Sequence, residues 1–410
     1  MGYTIKNIPT NWEIKPMPEV VKWGSGGTPK ATVREYYENG DIPWLIIGDL
    51  NDSIVTSSAT KITELGLQNS SAKIIEEGTL MVAMYGSIGK LGITSMRCCT
   101  NQAIAYAKEL HGVTTKYMFY YMAMIKSELI SKGKGGTQKN ISQTVLNSLI
   151  VAYPPSINEQ ERIVAKIEEL FSDLENAVET LNATKTQLEV YRQAVLKEAF
   201  EPKNNWNIGK LGDVIQVLTD YHANGSYEIL KQHVELLDTP DYAVMIRSTN
   251  FEKNDFSNDL KYITKEAYDF LKKSQLFGGE VLMGKIGNAG KVYYMKDLNR
   301  PMSLAMNLFA MRFDHCVSSK YVYYFLNSAK SIEDIKKHIK GVGTPTINKN
   351  SVRDLYFAYP DTNEQKKIVT EVETKLSLYD SVNLTLDNIL RQASAMRQSI
   401  LKQAFEGRLL

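Results

Sequence analysis

Arg192-Gln193-Ala194-Val195-Leu196-Lys197-Glu198-Ala199-Phe200 returns near the end of the chain as Arg397-Gln398-Ser399-Ile400-Leu401-Lys402-Gln403-Ala404-Phe405. Upstream, Asn158-Glu159-Gln160 returns as Asn363-Glu364-Gln365 with the same offset of 205, half of the 410-residue length. Aligned without a gap, the two 43-residue segments keep 16 identities. Self-similarity on this scale dictates architecture. The chain reads as a tandem duplication.

Outside these segments the echoes continue with shifting offsets. Asn11-Trp12 answers Asn205-Trp206, and Gly86 with Gly89-Lys90 answers Gly287 with Gly290-Lys291. Lys116-Tyr117-Met118-Phe119-Tyr120-Tyr121 answers Lys320-Tyr321-Val322-Tyr323-Tyr324-Phe325, and Ala152-Tyr153-Pro154 answers Ala358-Tyr359-Pro360. Each half is therefore a globular region followed by a long helical segment. The boundaries fall at 1–157, 158–202, 203–362 and 363–410.

The repeated segments lack Pro and Gly, and their apolar residues alternate spacings of three and four. That spacing is a coiled-coil seam. In the first segment it runs through Ile167, Leu170, Leu174, Leu181 and Leu188. In the second it runs through Val372, Tyr379, Leu386, Ile389 and Ile400, and the full stripes also take in Ala177, Tyr191 and Met396. Pro154-Pro155 and Pro360 stand just upstream, and Pro202 and Gly407 stand just beyond, where helices start and stop. Each helix is expected to be about 64 Å long at about 1.5 Å per residue. Pairing the two stripes antiparallel buries both, with a pseudo-two-fold axis and the globular regions at opposite ends.

The globular regions read as mixed α and β, so the fold class is α+β: two tandem mixed domains separated by two long helices. Expected strands are Leu45-Ile46-Ile47, Leu80-Met81-Val82-Ala83-Met84, Val244-Met245-Ile246, Val281-Leu282-Met283, Val292-Tyr293-Tyr294 and Leu308-Phe309-Ala310-Met311. The Tyr-rich stretches after Lys116 and Lys320 read as helices whose aromatics serve packing.

Lys and Arg outnumber Asp and Glu by only 48 to 46, a total that by itself speaks against a nucleic-acid binder. Divided along the repeat, the charge becomes +3, −5, +3 and +1, with the basic excess in both globular regions. Cys98, Cys99 and Cys316 suit neither a disulfide framework nor a zinc site. No apolar run reaches the roughly 18 residues a membrane span needs, and a cytoplasmic protein is expected.

Gly86-Ser87-Ile88-Gly89-Lys90 and Gly287-Asn288-Ala289-Gly290-Lys291 fail as Walker loops: two residues, not four, separate the glycines, and no Ser or Thr follows the Lys. They are either plain turns or turns that present a Lys and backbone amides to a phosphate. No S-adenosylmethionine motif, clustered nuclease carboxylates, metal site or catalytic triad emerges. A protein without catalysis of its own is expected.

In order along the chain stand Asn11-Trp12, Gly26-Gly27-Thr28-Pro29, Ile42-Pro43-Trp44 and Gly48-Asp49-Leu50. Gly86-Ser87-Ile88-Gly89-Lys90, Asn101-Gln102, Gly136-Thr137-Gln138 with Ile141-Ser142, Pro154-Pro155 and Glu159-Gln160 follow, and Leu401-Lys402-Gln403-Ala404-Phe405-Glu406-Gly407 closes the series. In this succession the sequence resembles the specificity subunit of type I restriction-modification systems, over essentially the whole chain. The second half departs from it in places. Gly-Gly-Thr-Pro has no counterpart after Val214, and Met306-Asn307 answers Asn101-Gln102.

The resemblance implies binding of double-stranded DNA at a bipartite, asymmetric target, one target-recognition domain per half-site, with the paired helices setting the spacer. It also implies two methyltransferase subunits docked on the helices and restriction-translocase subunits joined through them. Adenine methylation and ATP-dependent cleavage, with S-adenosylmethionine, ATP and magnesium, belong to those partners. This chain is expected to bind no cofactor or metal. Candidate DNA-binding residues are Gly86, Ser87, Lys90, Lys132, Lys134, Lys139, Arg34, Tyr36 and Tyr37 in the first domain. In the second they are Asn288, Lys291, Lys337, Lys340, Thr344, Tyr221, His222 and Asn224. The competing reading is a non-catalytic coiled-coil adaptor that binds proteins through its globular ends. Target sequence, spacer length and methylated base are not written in the chain.

Overall fold

The computed structural model describes residues 8–135, 139–341 and 343–410. Gly136-Thr137-Gln138, one of the motifs above, lies outside them. Among the described residues no helix is long and apolar enough to cross a membrane.

Two compact units divide the chain: residues up to 181 together with 387–410, and residues 182–386. These limits differ from the four segments drawn from the sequence, because each unit takes half of each long helix. The helices run Ile157–Ala199 and Thr362–Phe405.

In the first unit, Leu80–Ala83 is a wholly buried apolar strand, as a central strand covered on both faces should be. It lies in a five-stranded sheet whose order is Val21–Ser25, Ile104–Leu110, Leu80–Ala83, Leu91–Thr94, Ser53–Val55. A four-stranded sheet joins Lys61–Ile62, Ile42–Leu45, Cys98–Thr100 and Ile74–Ile75. The expected strand Leu45-Ile46-Ile47 is shifted. The strand ends at Leu45 because the Asp49 carboxylate accepts the Ile46 amide at 2.8 Å and turns the chain into a short 3-10 helix, Ile47–Asp49.

The second unit repeats the plan. One sheet orders Ile215–Asp220, Leu308–Phe313, Val281–Gly284 and Val292–Tyr294; the other orders Lys261–Ile263, Ala243–Ile246, Met302–Leu304 and Gln275–Leu276. Each unit has an equivalent parallel pair, Ile42–Leu45 with Cys98–Thr100 and Ala243–Ile246 with Met302–Leu304; the first unit adds a second, Ser53–Val55 with Leu91–Thr94.

The repeated sequence motifs have repeated structural jobs. Gln160 is fully buried: its Oε1 accepts the Thr114 amide at 2.9 Å, and its Nε2 donates to the carbonyls of Gly112 (2.7 Å) and Pro154 (3.0 Å). Gln365 does the same with Ser318, Cys316 and Pro360, all at 2.9 Å. Each Gln ties the first turn of a long helix to the loop before a Tyr-rich helix, Thr115–Met124 or Ser319–Leu326. At the other helix ends, Phe405 packs edge-on between Tyr117 and Tyr121 in the first unit, and Phe200 against Tyr321 and Phe325 in the second.

Within each unit the start of one long helix therefore shares a core with the end of the other. Ile163, Val164 and Ile167 join Leu401, Ala404 and Phe405, while Val195, Leu196 and Phe200 join Ile368, Val372 and Leu376. The pairing is antiparallel. In the second unit Glu189 meets Tyr379 and the later Glu198 meets the earlier Lys375.

Val372, Tyr379, Leu386, Ala393 and Ile400 recur every seven residues and all are buried, a strict heptad. Ile167, Leu170, Leu174, Leu181 and Leu188 are buried or half-buried. Ile389 is 40% exposed, and the seam takes half-buried Leu390 in its place, the position four residues after Leu386. Tyr191 and Met396 are exposed; half-buried Arg192 takes the inward side next to Tyr191, whereas Arg397 next to Met396 is itself exposed. Arg397 stacks its guanidinium 4.7 Å from the Phe171 ring centroid and pairs with Glu175. Its side chain stays 49% exposed, so it lies at the edge of the seam with its charge paired.

Candidate nucleic-acid interface

The two glycine turns connect strands of equivalent sheets, and both glycines of each turn have the positive φ that disfavours a side chain: 63° and 73° at Gly86 and Gly89, 76° and 81° at Gly287 and Gly290. Each turn meets a second loop. In the first unit the Gly86 amide donates to the Lys139 carbonyl at 3.3 Å, and Lys134 and Asn140 exchange backbone hydrogen bonds at 2.9 Å. In the second, the Gly287 amide donates to Pro345 at 3.0 Å, and Lys340 and Thr346 exchange bonds at 2.9 and 2.8 Å. One two-loop frame thus occurs in both halves. It brings Gly86, Ser87 and Lys90 beside the loop of Lys132, Lys134 and Lys139, and Asn288 and Lys291 beside the loop of Lys340 and Thr344.

Most of the turn amides are committed. Ser87, Gly89 and Lys90 donate to Tyr85, Ala83 and Ser87, and Asn288, Gly290 and Lys291 donate to Ile286, Gly284 and Asn288. What these frames can offer a ligand is side chains. Lys134 and Lys139 are exposed, and Lys132 is exposed beside Glu128 at 3.4 Å. Lys90 is half-buried, with its ammonium 3.4 Å from the Ile47 carbonyl. In the second unit Lys340 and Thr344 are exposed, Lys337 is exposed 3.6 Å from Glu333, and Asn288 is half-exposed. Lys291 pairs with Glu252 at 2.6 Å, a carboxylate that also accepts the Tyr293 hydroxyl at 2.6 Å. Behind this turn lies an open cavity of about 290 Å³ lined by Gly290, Lys291, Tyr293, Leu326, Ile335 and Ile339.

The remaining sequence candidates lie elsewhere in their units. Arg34 is exposed on a short 3-10 turn, Arg34–Tyr36. Tyr36 is half-buried, and its carbonyl accepts the Thr63 amide at 2.9 Å. Tyr37 donates to the Pro29 carbonyl at 2.6 Å and packs edge-on against Trp44. In the second unit Tyr221 is buried in a cluster with Leu230 and Met245, and His222 is exposed. Asn224 accepts the Lys273 amide at 2.9 Å and donates to Tyr221 and Ser274, so its amide group braces the loop.

Beside that loop stands a group the sequence reading missed. Asp220, 5% exposed, accepts Lys285 at 2.7 Å on one carboxylate oxygen and Lys349 at 2.8 Å on the other. Burial alone would raise its pKa, but the two ammonium donors hold it below the ordinary carboxylate range. The Lys285 ammonium also lies 5.6 Å from the Phe309 ring centroid. Asp220 directly precedes the polar stretch already singled out, yet its partners are 65 and 129 residues away in sequence.

Cys98 and Cys99 are buried, and burial pushes the Cys99 thiol up to about 12, far from a reactive thiolate.

A family model described as the type I restriction modification DNA specificity domain matches residues 9–186 and matches again at 203–385, once in each half of the duplication. The chain belongs to this family. Among relatives, the specificity subunit of the type I restriction enzyme MjaIX from Methanocaldococcus jannaschii is 24% identical over 383 residues, covering 87% of this chain and 84% of its own. Among solved structures, a chain from work on complex assembly and conformational transition of the type I R-M system gives a TM-score of 0.73 at 15% identity, covering 98% of this chain and 100% of that one. The HsdS subunit from Thermoanaerobacter tengcongensis gives 0.52 at 16% identity, covering 98% of both chains. At such identities the structural likeness is one of fold.

In this type I specificity chain the long helices also expose several large apolar side chains. Val190, Leu378 and Leu384 are 66, 68 and 60% exposed in the second unit, and Ile389 and Met396 are 40 and 51% exposed in the first. These large apolar side chains stand at helix positions that the heptad leaves outside its seam.

Proposed function

We propose that this specificity chain reads a bipartite, asymmetric target on double-stranded DNA, one recognition region per half-site, and docks two methyltransferase subunits on the outer faces of its paired helices. Restriction-translocase subunits join through the methyltransferases, and S-adenosylmethionine, ATP and magnesium act on those partners. This chain supplies recognition and assembly rather than catalysis.

The observation that carries the reading is the two-loop frame, built twice with the same backbone hydrogen bonds and different side chains. Ser87 stands where the second half has Asn288, and the loop with Lys132, Lys134 and Lys139 is matched by one with Lys340 and Thr344, which follows the helix end carrying Lys337. A repeated frame with differing polar side chains is what a pair of readers for two different half-sites requires, since phosphate contacts position and side chains at base edges specify. A protein-binding adaptor has no need of matched basic loops in both regions.

The test exchanges residues 203–362 for the corresponding region of another family member and measures DNA selectivity of the methyltransferase-assembled complex by gel shift. Altered selectivity is expected. Unchanged selectivity would leave the adaptor as the better reading.

A further inference from the structure

The two-loop frames superimpose in their hydrogen bonding, so positions can be matched between units residue by residue. The Ile141 amide donates to the Met84 carbonyl at 2.9 Å, and the Ile347 amide to the Lys285 carbonyl at 3.1 Å, which equates Lys285 with Met84. Two residues further on, Lys349 equates with Gln143. Asp220 lies opposite Phe309, itself opposite Met283, as Ser25 lies opposite Ala105 and Ala105 opposite Val82, which equates Asp220 with Ser25. The Lys-Asp-Lys group of the second unit is thus Met84, Ser25 and Gln143 in the first. All three charges are present in one unit, and all three are absent from the other.

Such a group is costly as a purely structural bridge. One carboxylate would satisfy one ammonium; a second Lys leaves a net positive charge beside a nearly buried site. The side chain of Asp220 is 7% exposed, whereas those of Lys285 and Lys349 are 22 and 37% exposed. Water reaches the cations and scarcely reaches the anion between them. Each ammonium spends one donor on Asp220 and keeps others. The group also sits where the frame meets the polar loop: Lys285 lies two residues before Gly287, and His222, two residues past Asp220, is exposed.

We propose that Lys285 and Lys349, held in fixed positions by Asp220, form a clamp for a backbone phosphate of the DNA that the second unit reads, an anchor the first unit lacks. The inference rests on the DNA-reading function above. Asp220 is a positioning residue: it orients both ammoniums and cancels one of their charges, so the clamp binds a single phosphate and does not attract anions indiscriminately.

The two substitutions Lys349→Gln and Asp220→Asn carry opposite signs, which a structural bridge cannot mimic. The experiment measures binding of the full chain to a mixed-sequence duplex of about 40 base pairs by fluorescence anisotropy across a salt series. Lys349→Gln, which imports the first unit's residue, is expected to weaken binding about tenfold at low salt. It should also lower the slope of log affinity against log salt by about one, without moving the melting temperature appreciably. Asp220→Asn removes a negative charge, so it should steepen the slope and tighten nonspecific binding even as it lowers stability. Should that variant fail to fold, Lys349→Gln and Lys285→Met decide the matter by themselves. A wild-type slope in folded Lys349→Gln, with wild-type chain binding the duplex normally, would make the group a structural bridge and overturn the clamp while leaving DNA reading intact. Absence of salt-dependent binding by wild-type chain, both alone and in the methyltransferase-assembled complex, would overturn both.

Discussion

The ring of Phe405 meets that of Tyr117 edge-on, centroids 5.2 Å apart and planes at 76°, and so fastens the last turn of the chain into the core of the first unit. Phe405 and Tyr117 are both fully buried, and Tyr121 closes on the other side at 5.2 Å. Deleting the ring removes aromatic contact on two sides and leaves a cavity. Phe405→Ala is expected to destabilise the first unit by about 3–5 kcal/mol. Phe200→Ala should do the same in the second. Denaturant unfolding followed by Trp fluorescence checks both, with Trp12 packed against Tyr117 and Trp206 packed against Tyr321 as local reporters.

Gln160 and Gln365 offer a matched pair of polar tests. Each side chain is wholly buried and makes three hydrogen bonds to backbone groups. Replacing either by Leu keeps the volume but strands one amide and two carbonyls. The expected cost is about 3 kcal/mol or more, since each unsatisfied buried group costs about 1–3 kcal/mol. The loss should appear as fraying of the first turn of the corresponding helix in amide hydrogen exchange.

The heptad register predicts opposite outcomes for two isoleucines eleven residues apart. Ile400 is 9% exposed on the seam, so Ile400→Asp should destabilise the fold by several kcal/mol, as burial of an unpaired charge does. Ile389 is 40% exposed, so Ile389→Asp should change stability by no more than about 0.5 kcal/mol. If the outer helix face docks a methyltransferase, Ile389→Asp and Met396→Asp should nonetheless reduce co-purification of that subunit. Thermal melting and pull-down read the two effects separately.

Asp220 fixes the sign of a pH dependence. Its folded pKa lies below the ordinary value, so the carboxylate contributes stability that is present above the unfolded value of about 3.9 and is lost as pH falls through the lowered folded value. The stability difference between wild type and Asp220→Asn should accordingly be largest near neutral pH and shrink on acidification below about pH 4. A difference that grows in acid would contradict the ion-pair assignment.

The helices were legible in the sequence because a heptad is a local pattern: Val372, Tyr379, Leu386 and Ile400 declare the seam at fixed spacing. Ile389 misleads because apolar character alone does not separate a position three residues along from one four along; only the partner's surface decides. The duplication, the mixed fold and the glycine turns were legible for the same reason, each being a short run repeated. The loop frame was not. Its halves, such as Gly86 and Lys139, are far apart in the chain, and only the sheet brings them together. Nor could spacing show that most turn amides are already bonded, within the hairpin or to the second loop, or that Tyr37 and Asn224 serve as braces. Asp220, Lys285 and Lys349 escaped notice because a lone Asp and two distant Lys carry no pattern until the fold joins them.

The central claim, two readers for two half-sites, is tested most directly by mapping methylated bases across the genome of a host that expresses the complete system, before and after exchange of residues 203–362. The expected motif has two specified parts separated by a constant unspecified gap, and the exchange replaces one part while keeping the other. A single continuous motif, or a motif in which the exchange alters both parts together or neither, would contradict it.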